Sequence, residues 1–362
     1  GTDLVIIATL RKHDSDNVAG YAGCIMHDSN NRCILGYFNL CPRKLKPKGQ
    51  NASNVVELER RTTLHELFHV LGAVKMDHFH PSKSSNINVP SGDNTWQIKY
   101  SPELKKDVMH IKLPTVTQLW KEQTSCETSE GPALEDLPRG TGTHWEARQF
   151  GPEMMSYGTR SGESYLSDIT LAFLADTGHY GVNYDEAGSL VRPSTDGQAG
   201  AEISLFGSPP RDATEDELKV NKKRSKGYLR WGREEGCAFF DGLVSAWPSI
   251  YQCAENGISG CAPDNRMSAD CVHKSYTAKH PAVFDTLGRD TCTAPPTGPK
   301  TCRISGSSSV SARPNIPKPY RWLGKTNLGG WNPAMDYAPV SVGVWNCAYT
   351  KFSTTDFSEG GM

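Results

Sequence analysis

The chain has 362 residues, a formal net charge of −1 and a mean hydropathy of −0.52, with 34 glycines and 23 prolines. That balance gives no whole-chain attraction to nucleic acid or anionic lipid, and no segment approaches the run of about 18 apolar residues that a membrane-spanning helix needs. What is left is a polar, loop-rich protein of one large or two to three small domains, with enough apolar residues for a core.

Residues 4–10 are a continuous apolar run and read as a buried strand; residues 34–40 read as a second strand. A helix is predicted over about 55–71. Leu64, Leu67, Phe68 and Leu71 fall at i, i+3, i+4 and i+7 and form its apolar face. Thr62 and Thr63 are cap candidates for a later start. Gly72 is placed to end the helix with a positive φ. Off the apolar face lies His65-Glu66-Leu67-Phe68-His69, an H-E-x-x-H run. Histidines four apart project from one helical face, so His65 and His69 can reach one tetrahedral Zn²⁺. Glu66, beside the first histidine, is positioned to take a proton from water at that metal.

A catalytic zinc site usually takes three protein ligands and leaves a fourth position open. The compact extension of the motif would put the third histidine at position 75, which is Lys75. His78, His80, Glu103 and His144 are the remaining candidates. Residues 73–140 read as mostly irregular, rich in Ser, Asn, Pro and Gly. A second helix is predicted over about 165–177, with Leu166, Ile169, Phe173 and Leu174 buried and Gly178 as its stop. Residues 186–230 read as a flexible, polar insertion carrying the basic cluster Lys222-Lys223-Arg224 with Lys226. Residues 231–362 read as a cysteine-rich module with proline-rich connections.

The sequence resembles the leishmanolysin family of metzincin proteases. In that family the third histidine follows a long insertion and sits in a His-Trp-Glu-x-Arg run, here His144-Trp145-Glu146-Ala147-Arg148, ahead of a Met-turn, here Glu153-Met154-Met155. Residues 19–24 and 36–40 resemble the family's strands before the active-site helix. Trp231-Gly232, Gly236-Cys237-Ala238-Phe239 and Met335-Asp336-Tyr337 resemble its C-terminal region. The insertion at 186–230 is a departure, since those family segments otherwise follow the second helix closely. The resemblance implies an α+β fold: a metzincin-type catalytic core of mixed sheet and active-site helix, plus the cysteine-rich C-terminal module. It divides the chain into a first catalytic half (1–72), a second half with the third histidine and Met-turn (73–185), the insertion (186–230) and the module (231–362). It implies His65, His69 and His144 as Zn²⁺ ligands, Glu66 as general base, Met155 packed beneath the metal, and a substrate extended along the sheet edge. Tyr157, two residues past Met155, stands where astacins carry a tyrosine that approaches the metal.

Eleven cysteines and the acceptor Asn51-Ala52-Ser53 indicate an oxidising compartment, hence a secreted or cell-surface protein. The odd count leaves one thiol free or paired outside this sequence. Family members carry further N-terminal segments, so the chain is expected to be a fragment or processed form, with any surface anchoring outside it. The function expected is a zinc-dependent endopeptidase acting on proteins or peptides, with no nucleic-acid partner. The rival readings are a catalytically inactive, cysteine-rich adhesion or binding protein on the same scaffold, and a His-His-Glu peptidase using Glu103.

Overall fold

The computed structural model describes residues 3–13, 18–41, 52–74, 95–102, 106–135, 143–156, 164–184, 188–189, 227–242, 247–253, 259–261, 267–271, 273–275, 322–325, 328–330, 335–336 and 338–346. The fold is α+β. Strands β1 (Val5–Leu10), β2 (Gly20–His27) and β3 (Cys33–Leu40) form a sheet of order β1-β3-β2. β1 runs parallel and β2 antiparallel to β3. Helix α1 (Ala52–Val70) packs on one face, and glycines make the approach close. A Cβ on Gly36 would lie 2.3 Å from Val70 Cγ1, and one on Gly20 would lie 2.8 Å from Glu66 Oε1.

The helix ends as its sequence predicts. Gly72 has φ +91°, its N–H donates to His69 O, and Ala73 N–H donates to Phe68 O, a Schellman cap. The start at Ala52 lies ahead of the predicted one. The reading of β1 as buried needs correction. Val5 and Ile7 are about half exposed and Leu10 is 69% exposed. Val5 and Ile7 pair in register with Leu35 and Tyr37, opposite in parity to Gly36, so they face away from α1.

The segment read as irregular holds regular structure. β4 (Trp96–Ser101) and β5 (Lys106–Ile111) pair antiparallel, and α2 spans Pro114–Thr124 with proline in its first turn. Val116 and Trp120, one turn apart, are fully buried. Leu113 supplies no side-chain cap to α2. Asp176 does so from a distance, accepting from Thr115 N–H at 2.9 Å and Val116 N–H at 3.1 Å.

The predicted helix at 165–177 is in fact β6 (Tyr165–Leu166), which pairs with β7 (Gly188–Ser189), followed by α4 (Asp168–Asp176). Ser167 sets the break: its hydroxyl caps Thr170 N–H. Leu166, Ile169, Phe173 and Leu174 are all buried.

One core joins these elements to the described C-terminal residues. Short α3 (Ala147–Phe150) and α5 (Cys237–Asp241) bring Trp145, Phe150, Trp120, Phe239 and Phe240 together, all at most 1% exposed. Trp145 stacks on Phe150 at 4.8 Å, and Phe239 on Trp247 at 4.8 Å. Buried Arg148 ties the parts. It donates to Asp336 Oδ2 at 3.2 Å, Gly242 O at 3.2 Å and Phe240 O at 2.9 Å. Leu229, Trp231, Met335 and Val340 lie in this same core. Disulfides join Cys24 to Cys33, Cys126 to Cys237 and Cys253 to Cys271, and Cys41 is a buried free thiol. No helix among the described residues is long and apolar enough to cross a membrane. The basic cluster at 222–226 lies outside the described residues.

Candidate metal centre

Three imidazoles converge where helix α1 meets the loop that carries His144. Helix α1 projects His65 and His69 from adjacent turns, and their Nε2 atoms lie 3.1 Å apart. His144 Nε2 stands 3.1 Å from that of His65 and 3.2 Å from that of His69. Two nitrogens bound about 2.0–2.1 Å from a tetrahedral ion are about 3.3–3.4 Å apart. The spacing, the neutral nitrogen donors and their mutual orientation therefore fit one small divalent cation, with the fourth corner left to water or substrate. The other clusters of possible metal donors among the described residues each contain a disulfide, Cys253–Cys271 or Cys126–Cys237.

Polar contacts on Nδ1 hold two of the rings. His65 Nδ1–H donates to Met154 O at 2.7 Å, leaving the Nε2 lone pair for a metal. Burial holds His65 below the ordinary imidazole pKa, against the opposing pull of that carbonyl. His144 Nδ1 contacts Thr143 Oγ1 at 2.9 Å. The backbone around His144 is held on both sides: Glu135 N–H donates to His144 O at 2.9 Å, and Trp145 N–H donates to Met155 O at 3.0 Å.

Glu66 is 5% exposed, and its carboxyl group lies against the bare backbone of Gly20 at the start of β2. Burial pushes its pKa up to about 8. A divalent cation close by would pull it back down. Met155 is fully buried in the core. Its neighbour Glu153 is also fully buried, and burial raises its pKa against four hydrogen bonds that lower it.

His78, His80, Glu103 and Tyr157 lie outside the described residues. Sequence reasoning missed the Met154 carbonyl, Thr143 and the partners of Glu153. Backbone acceptors leave no mark in a residue pattern. Glu153 did leave one, as an acidic residue inside an otherwise apolar turn.

Comparison with known proteins identifies a family. A family model described as leishmanolysin matches residues 1–198, a span that includes His65, Glu66, His69, His144 and Met155. The chain is similar to a ciliated left-right organizer metallopeptidase from Danio rerio, 31% identical over 185 residues, covering 48% of this chain and 28% of that protein. It is similar to a leishmanolysin-like peptidase from Drosophila melanogaster, 28% identical over 203 residues, covering 48% of this chain and 29% of that protein. Leishmanolysin from Leishmania tropica is 23% identical over 317 residues, covering 86% of this chain and 35% of that protein. The chain thus spans about a third of the length of the curated relatives it matches.

Proposed function

The chain belongs to the leishmanolysin family of metallopeptidases, and on that premise we propose that it is a zinc-dependent endopeptidase hydrolysing peptide bonds in proteins. The observation that carries the reading is the triangle of Nε2 atoms at 3.1–3.2 Å, with the His65 Nδ1–H already committed to Met154 O. His65, His69 and His144 would hold the ion. When bound, zinc supplies a Lewis acid that acidifies a water and polarises a carbonyl.

The chain's own groups do the rest. Glu66 serves as the general base, accepting the nucleophile's proton on a carboxylate oxygen and delivering it to the leaving amine. Its pocket against Gly20 keeps bulk water from competing for that proton. β2 is an edge strand among the described residues, antiparallel to β3, and begins beside Glu66. An extended peptide adding to its free edge would pass the carboxylate, with main-chain hydrogen bonds giving affinity. Three disulfides support a secreted or cell-surface setting.

The test is a casein-type assay with metal quantification on wild type, Glu66→Ala and His144→Ala. Wild type should hold about one zinc and lose activity to a chelator. Glu66→Ala should keep the metal and lose at least about 100-fold in kcat, within the range for removal of a general base. His144→Ala should lose metal. Equal activity in wild type and Glu66→Ala would end the peptidase reading and favour the inactive binding scaffold. Full zinc in His144→Ala would favour another ligand such as Glu103.

A further inference from the structure

Glu153 is a fully buried carboxylate whose described partners all donate to it. Oε2 accepts from Met155 N–H. Oε1 accepts from Ser167 N–H at 3.1 Å, Ser167 Oγ–H at 2.9 Å and Thr170 Oγ1–H at 2.6 Å. The two oxygens thus grip two different elements, one the Met-turn, the other the first turn of α4. The Thr170 hydroxyl extends the grip, because it also accepts from Trp145 Nε1–H at 2.8 Å. Trp145 follows His144, and its own N–H donates to Met155 O. The carboxylate is therefore joined to the histidine triangle by hydrogen bonds and single steps along the backbone. One route runs through Met155 and Met154 O to His65 Nδ1. The other runs through Thr170 and Trp145 to His144.

Resting on the metal-site reading above, we propose that Glu153 is a positioning residue for the metal: its carboxylate holds the Met-turn and α4 in the single arrangement that aims His65 and His144 at a shared point. It touches neither substrate nor metal and acts only through those two routes. An amide cannot replace it. One oxygen of a glutamine could still accept from Ser167 and Thr170, but its NH₂ would then meet the Met155 N–H donor to donor. Glu153→Gln therefore frees the Met-turn while leaving the volume and the α4 contacts in place. Hydrogen-bonded partners of metal ligands typically change metal affinity by about 10- to 100-fold when lost.

The experiment uses the full chain and measures the zinc Kd by competition with a chromophoric chelator. The visible spectrum of the cobalt-substituted protein reports ligand geometry. Glu153→Gln should weaken zinc binding by about 10-fold or more and alter the cobalt bands. Thr170→Val, which keeps the carboxylate and the volume, should weaken it by about 3- to 10-fold, and Thr170→Ser should restore it by returning the hydroxyl. Should Glu153→Gln fail to fold, the Thr170 pair alone carries the test. Tyr251→Phe is the stability control, since it removes the hydroxyl that accepts from Gly232 N–H within the C-terminal part of the core. It should lower the melting temperature with the zinc Kd unchanged. Wild-type Kd and cobalt spectra in Glu153→Gln, or in Thr170→Val, would overturn the inference. An equal loss of affinity in Tyr251→Phe would overturn it too, because affinity would then merely track stability. A wild type that binds no zinc would instead sink the metalloenzyme reading beneath it.

Discussion

The two halves that meet at the histidines are built on opposite principles. The first is a three-stranded sheet with one helix pressed onto it through Gly20 and Gly36, and its far face leaves Val5 and Ile7 about half exposed. The second, carrying His144 and the Met-turn, is embedded in a core where Trp145, Phe150 and Met155 have no exposure at all. Two of the histidines thus come from a helix whose own turn geometry sets their spacing. The third comes from a loop that has no such internal ruler and is placed by surrounding contacts instead. Local geometry is cheap to encode, whereas a long-range position needs a buried network to define it.

The comparison is broken most forcefully at Arg148. Arg148→Ala should destabilise by about 3–5 kcal/mol, because it removes the buried guanidinium that binds Asp336, Gly242 O and Phe240 O together. Urea unfolding measures this, and a loss under 1 kcal/mol would show that the second half does not depend on its C-terminal clamp. Next comes the helix–sheet contact. Gly36→Val should cost about 1–3 kcal/mol by overpacking against Val70, and it should disturb the α1 amides before those of the His144 loop in hydrogen exchange.

A subtler effect is pH-dependent. Burial raises the Glu153 pKa in the folded state above its ordinary 4.5. The folded chain therefore binds that proton more readily than the unfolded chain, and this contribution to stability is full below pH 4.5 and declines as pH rises toward the folded value. Wild type should exceed Glu153→Gln in melting temperature by most in acid, with the gap narrowing as pH rises. A gap that widens instead would mean that its four hydrogen bonds outweigh burial. The smallest effect is expected on the open face of the sheet. Ile7→Ser should change stability by no more than about 0.5 kcal/mol. A loss above about 2 kcal/mol would show that this face is covered, and the contrast between the halves would fall.

Much of the first half was legible in the chain. H-E-x-x-H, its apolar companions and Gly72 all act within a turn or two of one another, where residue pattern and structure share a period. The burial of β1 was misjudged because an unbroken apolar run is the same whether one face or both are covered. In the second half, α2 could have been read from Pro114 with Val116 and Trp120. Its cap could not, since Asp176 lies 61 residues away from Thr115 along the chain. The partnership of Glu153 with Ser167 and Thr170, and of Arg148 with Asp336 across 188 positions, is likewise invisible to spacing rules. The family resemblance bridged that gap for His144. It could not do so for the hydrogen bonds around it.

The Cys126–Cys237 bond closes a covalent ring of 111 positions around His144, the Met-turn and α4. In chain-entropy terms, a ring of that size disfavours the unfolded ensemble by about 4–5 kcal/mol. It also changes what a cut does. A backbone break anywhere between 127 and 236, the basic segment at 222–226 included, leaves both pieces fastened together, so a clipped molecule runs as one band on a gel until a thiol is added and as two afterwards.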